Sequence, residues 1–113
     1  MAEESAEARL ISKLASTRLI ASDPDRTRIY DAAREACAKA TTYFVISHTP
    51  EQFEDVFAVL ADDQVVVVFE LPRDGSTSSP LNVVTYAVHD YQKRLRGRAA
   101  KDFKLILKLA CQG

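Results

Sequence analysis

A chain of 113 residues is sized for one domain, and its 47% apolar and 27% charged side chains are ordinary globular usage that excludes wholesale disorder. Three glycines leave little room for phosphate-cradling loops or a glycine-rich all-β design, and the net charge of −1 marks no dedicated polyanion binder. Residues 1–113 therefore read as a single domain, with 1–7 a candidate for disorder, and no stretch reaches the roughly 18 apolar residues that a membrane span needs.

Met1 to Glu7 carries three glutamates and no basic residue, the wrong sign for a secretory or mitochondrial leader, so cytoplasm or nucleus is expected. Residues 8–20 place Leu10, Ile11, Leu14 and Leu19 at helical spacing and predict a first helix with two apolar edges. Asp23 as N-cap and Pro24 as first helical residue predict a second helix to about Ala40, with Cys37 on its apolar side as a small packed hydrophobe. Cys37 and Cys111 do not make a disulfide framework.

Thr42 to Ser47 is short and rich in β-branched and aromatic residues, which predicts a strand. Thr49-Pro50-Glu51-Gln52 has the pattern of a capping box, and Phe53, Val56, Phe57 and Leu60 behind it predict a helix with one apolar face. Asp62-Asp63 would end that helix. The run Val65-Val66-Val67-Val68-Phe69 predicts a strand covered on both faces and central in its sheet. Phe44, Ile46, Phe53, Val56, Phe57, Leu60, Val65 and Val67 are expected to be buried together.

Pro72 to Pro80 is polar and punctuated by Asp74-Gly75, a surface loop expected to accept insertions. Residues 81–96 admit two readings. One is a helix from Pro80 with Asn82, Thr85, His89, Gln92, Lys93 and Arg96 as a polar stripe. The other is a strand, Val83 to Val88, folded back on Val65 to Leu71 as a hairpin, with Tyr91 to Arg98 helical either way. In Lys101 to Ala110, Phe103, Leu105, Leu107 and Leu109 alternate with Lys104, Ile106 and Lys108, which predicts an edge strand guarded by lysine. Ile106 would then face outward, either covered by the first helix or exposed as a contact for a partner. The expected class is α+β: a small sheet of three to four strands packed against helices, in the order α-α-β-α-β-(α or β-α)-β.

The chemistry-bearing residues are sparse. His48 and His89 have no cysteine or second histidine at ligand spacing, and the nucleotide-loop, nucleophile-elbow and paired-cysteine motifs are absent. His48, at the end of a strand, is the one candidate for a catalytic region, and Ser47, His48 and Asp90 can be joined into a triad only on paper. The Asp62-Asp63 pair is explained by a turn. No catalytic residue, metal, cofactor or small-molecule ligand is inferred, and enzymatic activity is not the favoured reading.

Charge is asymmetric. Residues 80–113 hold two acidic side chains against seven basic ones, Lys93, Arg94, Arg96, Arg98, Lys101, Lys104 and Lys108, which are the candidate binding face. The leading expectation is a non-catalytic protein–protein interaction module, a subunit or adaptor that binds a protein partner or itself. The alternative is nucleic-acid or polyanion binding through segment 93–108. Phe53 to Leu60, Asp62-Asp63, the Val65 to Leu71 strand, Asp74-Gly75 and Val83 to Val88 together resemble the middle of an actin-depolymerising-factor homology domain. There a helix ending in acidic residues leads into a hairpin, and the resemblance implies actin binding as a further alternative. The chain departs from that family: it is short, and it lacks the family's first hairpin and the lysine-methionine-tyrosine-rich start of its actin-binding helix.

Overall fold

The computed structural model describes residues 18–20, 23, 26–77 and 79–112. Its elements are helix α1 (Thr27–Ala36), strands β1 (Tyr43–Pro50), β2 (Glu54–Ala61), β3 (Val65–Pro72) and β4 (Leu81–Ala87), and helices α2 (Val88–Gln92) and α3 (Gly97–Gln112). The strands form one antiparallel four-stranded sheet in the order β1-β2-β3-β4, each pairing with its neighbour in sequence. The fold is a small α+β one, as expected, but the element order is not.

Two segments change type. Residues 54–61, expected as a helix, are strand β2. The apparent capping box is instead the end of β1 and a hairpin turn, closed by Glu51 N–H donating to the Glu54 carbonyl at 2.8 Å. A helical face at 53, 56, 57 and 60 left Ala58, Val59 and Ala61 unexplained. An unbroken apolar run is what a strand needs when both faces are covered. Here Phe57, Val59 and Ala61 pack toward α1 while Ala58 and Leu60 pack toward α3. Phe53 falls at the hairpin tip and is 72% exposed, against the expectation that it is buried.

Residues 101–110, expected as an edge strand, lie within α3. Phe103, Ile106 and Ala110 form its buried stripe at helical spacing, so Ile106 is core rather than an outward contact. Leu105, Leu107 and Leu109 flank that stripe, half-buried. Leucine and lysine, which make up most of this segment, are both good helix formers. The ambiguous residues resolve as strand β4 up to Ala87, in the hairpin with β3, and α2 begins at Val88.

The sheet is a middle layer. On one face lie α1 and Leu19, packed with Ala32 and Ala33 against Tyr43, Phe57, Val59, Val67 and Phe69. On the other face α3 closes over Phe44, Ala58, Leu60 and Val66. The expected helix over 8–20 lies largely outside the described residues. Arg18, however, is extended and bridges Phe44, and Leu19 N–H donates to the Tyr43 carbonyl at 2.8 Å. Helix α1 is shorter than expected at both ends, starting after Arg26 and capped at Cys37. Its last turn is held by Tyr43, whose hydroxyl donates to the Cys37 and Ala40 carbonyls at 2.6 and 3.2 Å. Burial raises the phenol's pKa.

Two connections are pinned. Asp62, at φ +52 in the β2–β3 turn, takes hydrogen bonds from the Thr41 and Thr42 amides at 3.1 and 2.9 Å and from their hydroxyls at 3.0 and 2.9 Å. Arg28 of α1 reaches the 73–80 loop, donating from Nε and Nη2 to the Thr77 carbonyl at 3.0 and 2.9 Å and from Nη2 to the Pro72 carbonyl. Arg28 therefore anchors that loop at Thr77.

Candidate functional site

The seven candidate basic residues lie on the turn after α2 and along α3, and all are exposed. Lys101, Lys104 and Lys108 recur at helical spacing opposite the buried stripe, with Arg98 in the first turn. The stripe from Lys101 to Lys108 is about 10 Å long at the rise of an α-helix. Lys93, Arg98, Lys101 and Lys104 make no ion pair among the described residues. Arg94 lies over the Tyr86 ring at 4.7 Å, and Arg96 Nη1 donates to the Lys93 and Leu95 carbonyls at 3.1 Å each. The lysines thus guard no strand edge; they are the wet face of a helix.

His48 sits on β1 with no helix following it. Its ring stacks on Phe57 at 4.6 Å and 16°, and Nε2 lies 3.0 Å from Asp55 Oδ1, which also accepts from Arg73 Nε at 3.2 Å. The His48 hydrogen bond and the Arg73 charge hold the Asp55 carboxyl below its ordinary range. The serine beside it is turned the other way. A bulge between Val45 and Ser47 leaves Ile46 unpaired, so that Ser47 stands opposite Ala58 on the α3 face and His48 opposite Phe57 on the α1 face. Ser47 and His48 therefore cannot act on one substrate atom, and no triad forms from them.

Asp62 and Asp63 serve the turn. Asp63 accepts from Gln64 Nε2 at 2.8 Å and from the Cys111 thiol at 3.4 Å. Cys111 is exposed and free, and Cys37 is a free thiol half-buried against the α1-side core.

The feature that the sequence left undecided is β4. It pairs with β3 on one side and has no strand on the other among the described residues. Neither α1 nor α3 covers its first half: Leu81, Val83 and Val84 are 44, 42 and 47% exposed. Their exposure has a topological cause, since α1 packs over β1–β3 and α3 lies toward β1 and β2. The strand is kinked at its start, where Asn82 at φ +51 forms a bulge and its amide bonds the Glu70 carboxylate. From Val84 to Ala87 the ladder with β3 is regular. A Val-Val-Thr-Tyr composition after a polar loop was the available signal for a strand, but nothing in it told an edge from a centre.

No helix among the described residues is long and apolar enough to cross a membrane. Compared with protein-family models, curated proteins and solved structures, the chain matches none. Of the segments that carry the resemblance to the actin-depolymerising-factor homology domain, 65–71 and 83–87 do form a hairpin, whereas 53–60 provides no helix.

Proposed function

We propose that this chain is a non-catalytic protein-interaction module, a subunit or adaptor that docks an extended partner strand along β4. The observation that carries the reading is the bare apolar edge of Leu81, Val83 and Val84. An edge strand presents unpaired amides and carbonyls as a template for another chain, and proteins ordinarily blunt such edges with charge, proline or a covering helix. Residues 83–85 carry none of these, and the valines on either side of the pleat offer a partner apolar contacts on both faces. The simplest occupant is a second β4, which would run antiparallel to the first about a two-fold axis. Two free cysteines fit a reducing compartment, cytoplasm or nucleus.

Sedimentation velocity over a concentration series tests this, comparing the wild type with Val84→Glu. The expected result is a wild-type dimer and a monomeric variant of nearly unchanged Tm, because an exposed substitution shifts stability by only about 0.5 kcal/mol. A wild type that stays monomeric, with β4 amides exchanging at the rate of open backbone, would overturn it. The exposed lysine stripe of α3 favours a second reading, contact with nucleic acid or another polyanion. Neutralising Lys101, Lys104 and Lys108 would then flatten the salt dependence of binding, with a slope change of about one for each phosphate no longer neutralised.

A further inference from the structure

Between β1 and α3 lies a cavity of about 150 Å³, separate from β4 and from the basic stripe. Its existence depends on the bulge in β1. A regular strand would send Ile46 and Ser47 to opposite faces, but with Ile46 unpaired both side chains line this space. Phe103 and Ile106 of α3 complete an apolar wall, and Tyr91 stands against Phe103 with ring centroids 5.6 Å apart. The rim is open where Ser47 and Ala99 are exposed.

Three polar side chains line this mainly apolar space. Ser47 and Tyr91 both line it, and burial raises the Tyr91 pKa. The third is Asp102, also on the cavity wall, whose Oδ1 is buried with no hydrogen-bond partner among the described residues. Buried acceptors are ordinarily satisfied, and an unsatisfied one calls for an explanation. A carboxylate oxygen has no donor capacity, so the missing partner must be a donor, and a cation satisfies it best. The space exceeds the roughly 30 Å³ share of one water, and a dry cavity of about this size can hold a benzene ring.

The geometry points to a binding site for a small primary ammonium on an apolar body about one ring in size. The ammonium group donates to Asp102 Oδ1 and to a hydroxyl of Ser47 or Tyr91, while the ring or alkyl body lies on Ile46, Phe103 and Ile106.

Titration of the ¹⁵N-labelled chain with benzylammonium, and separately with the neutral near-isostere benzyl alcohol, tests the assignment by amide chemical shifts. Saturable shifts at Ser47, Ala99, Asp102 and Phe103 are expected for the amine, with benzyl alcohol at least about ten-fold weaker, since only a charge-assisted bond distinguishes them. Asp102→Asn should weaken the amine by a similar factor, and Ala99→Leu, at the exposed rim, should block entry while leaving the circular dichroism spectrum unchanged. Absence of saturable shifts, equal affinity for the alcohol, or unaltered binding in either variant would overturn the site. Should Asp102→Asn fail to fold, the amine–alcohol comparison on the wild type decides alone.

Discussion

Asp62 offers a sharp test of how the two halves of the sheet are tied together. Its carboxylate receives two backbone amides and two hydroxyls from Thr41 and Thr42, joining the entry to β1 with the β2–β3 turn. Burial alone would raise its pKa; the hydrogen bonds from Thr42 and Thr41 outweigh that and leave it lowered. Hydrogen bonds to a charged group contribute about 1.5 to 3 kcal/mol each when well buried, and Thr41 is exposed, so the set is discounted to about 2 kcal/mol in total. Alanine at φ +52 adds about 1 kcal/mol of backbone strain that Asp and Asn tolerate. Asp62→Ala should therefore cost about 3 kcal/mol and Asp62→Asn about 1 kcal/mol, since asparagine keeps one acceptor and the backbone preference.

Urea unfolding followed by circular dichroism measures both, and pH separates the charge from the geometry. A carboxyl with a lowered folded pKa contributes stability that is complete above its unfolded value of about 3.9 and is lost as pH falls through the folded value. The gap between wild type and Asp62→Asn should be widest near neutrality and close progressively below about pH 4. An asparagine variant as stable as wild type at pH 7, or a gap that persists unchanged into acid, would refute the capping argument.

Phe103→Ala removes the largest side chain of the α3 stripe from a fully buried position and should cost about 3 to 5 kcal/mol in the same unfolding assay; a loss under about 1 kcal/mol would mean that α3 does not seat as described. The Cys111 thiol is raised in pKa by its hydrogen bond to Asp63, so Asp63→Asn should speed its alkylation by iodoacetamide at pH 8 in a timed mass-spectrometric assay. An unchanged rate would dissolve that pairing.

The sequence was legible where one signal stood without a rival. The five-residue apolar run of β3 and the β-branched start of β1 admitted few alternatives, and both form. It misled where two periodicities shared the same residues. Phe53, Val56, Phe57 and Leu60 fit a helix only if Ala58, Val59 and Ala61 are ignored. Leucines at 105, 107 and 109 fit a strand only if Ile106 is an exception. In each case the residue left over was the informative one, because Val59 and Ile106 are core. Coverage from both faces made β2 a continuous apolar strand, and no local pattern announces a second covering layer. The basic residues were found as a composition, but the arrangement of Lys101, Lys104 and Lys108 as one helical stripe needed the helix. The cavity was out of reach, since it depends on a one-residue bulge that sends Ser47 to the α3 side.

That the sheet follows sequence order has a last consequence, because it leaves β1 and β4 as opposite borders of very different character. The outer side of β1 is occupied at Phe44 by Arg18, distorted by the bulge after Val45, and terminated by Pro50, which has no amide to offer. Endless head-to-tail polymerisation requires two receptive borders per molecule. Among the described residues only β4 offers such a border, so the docking proposed above would have a valency of one. Two copies joined through β4 would present only their blunted β1 borders to a third, and the assembly would stop at the pair.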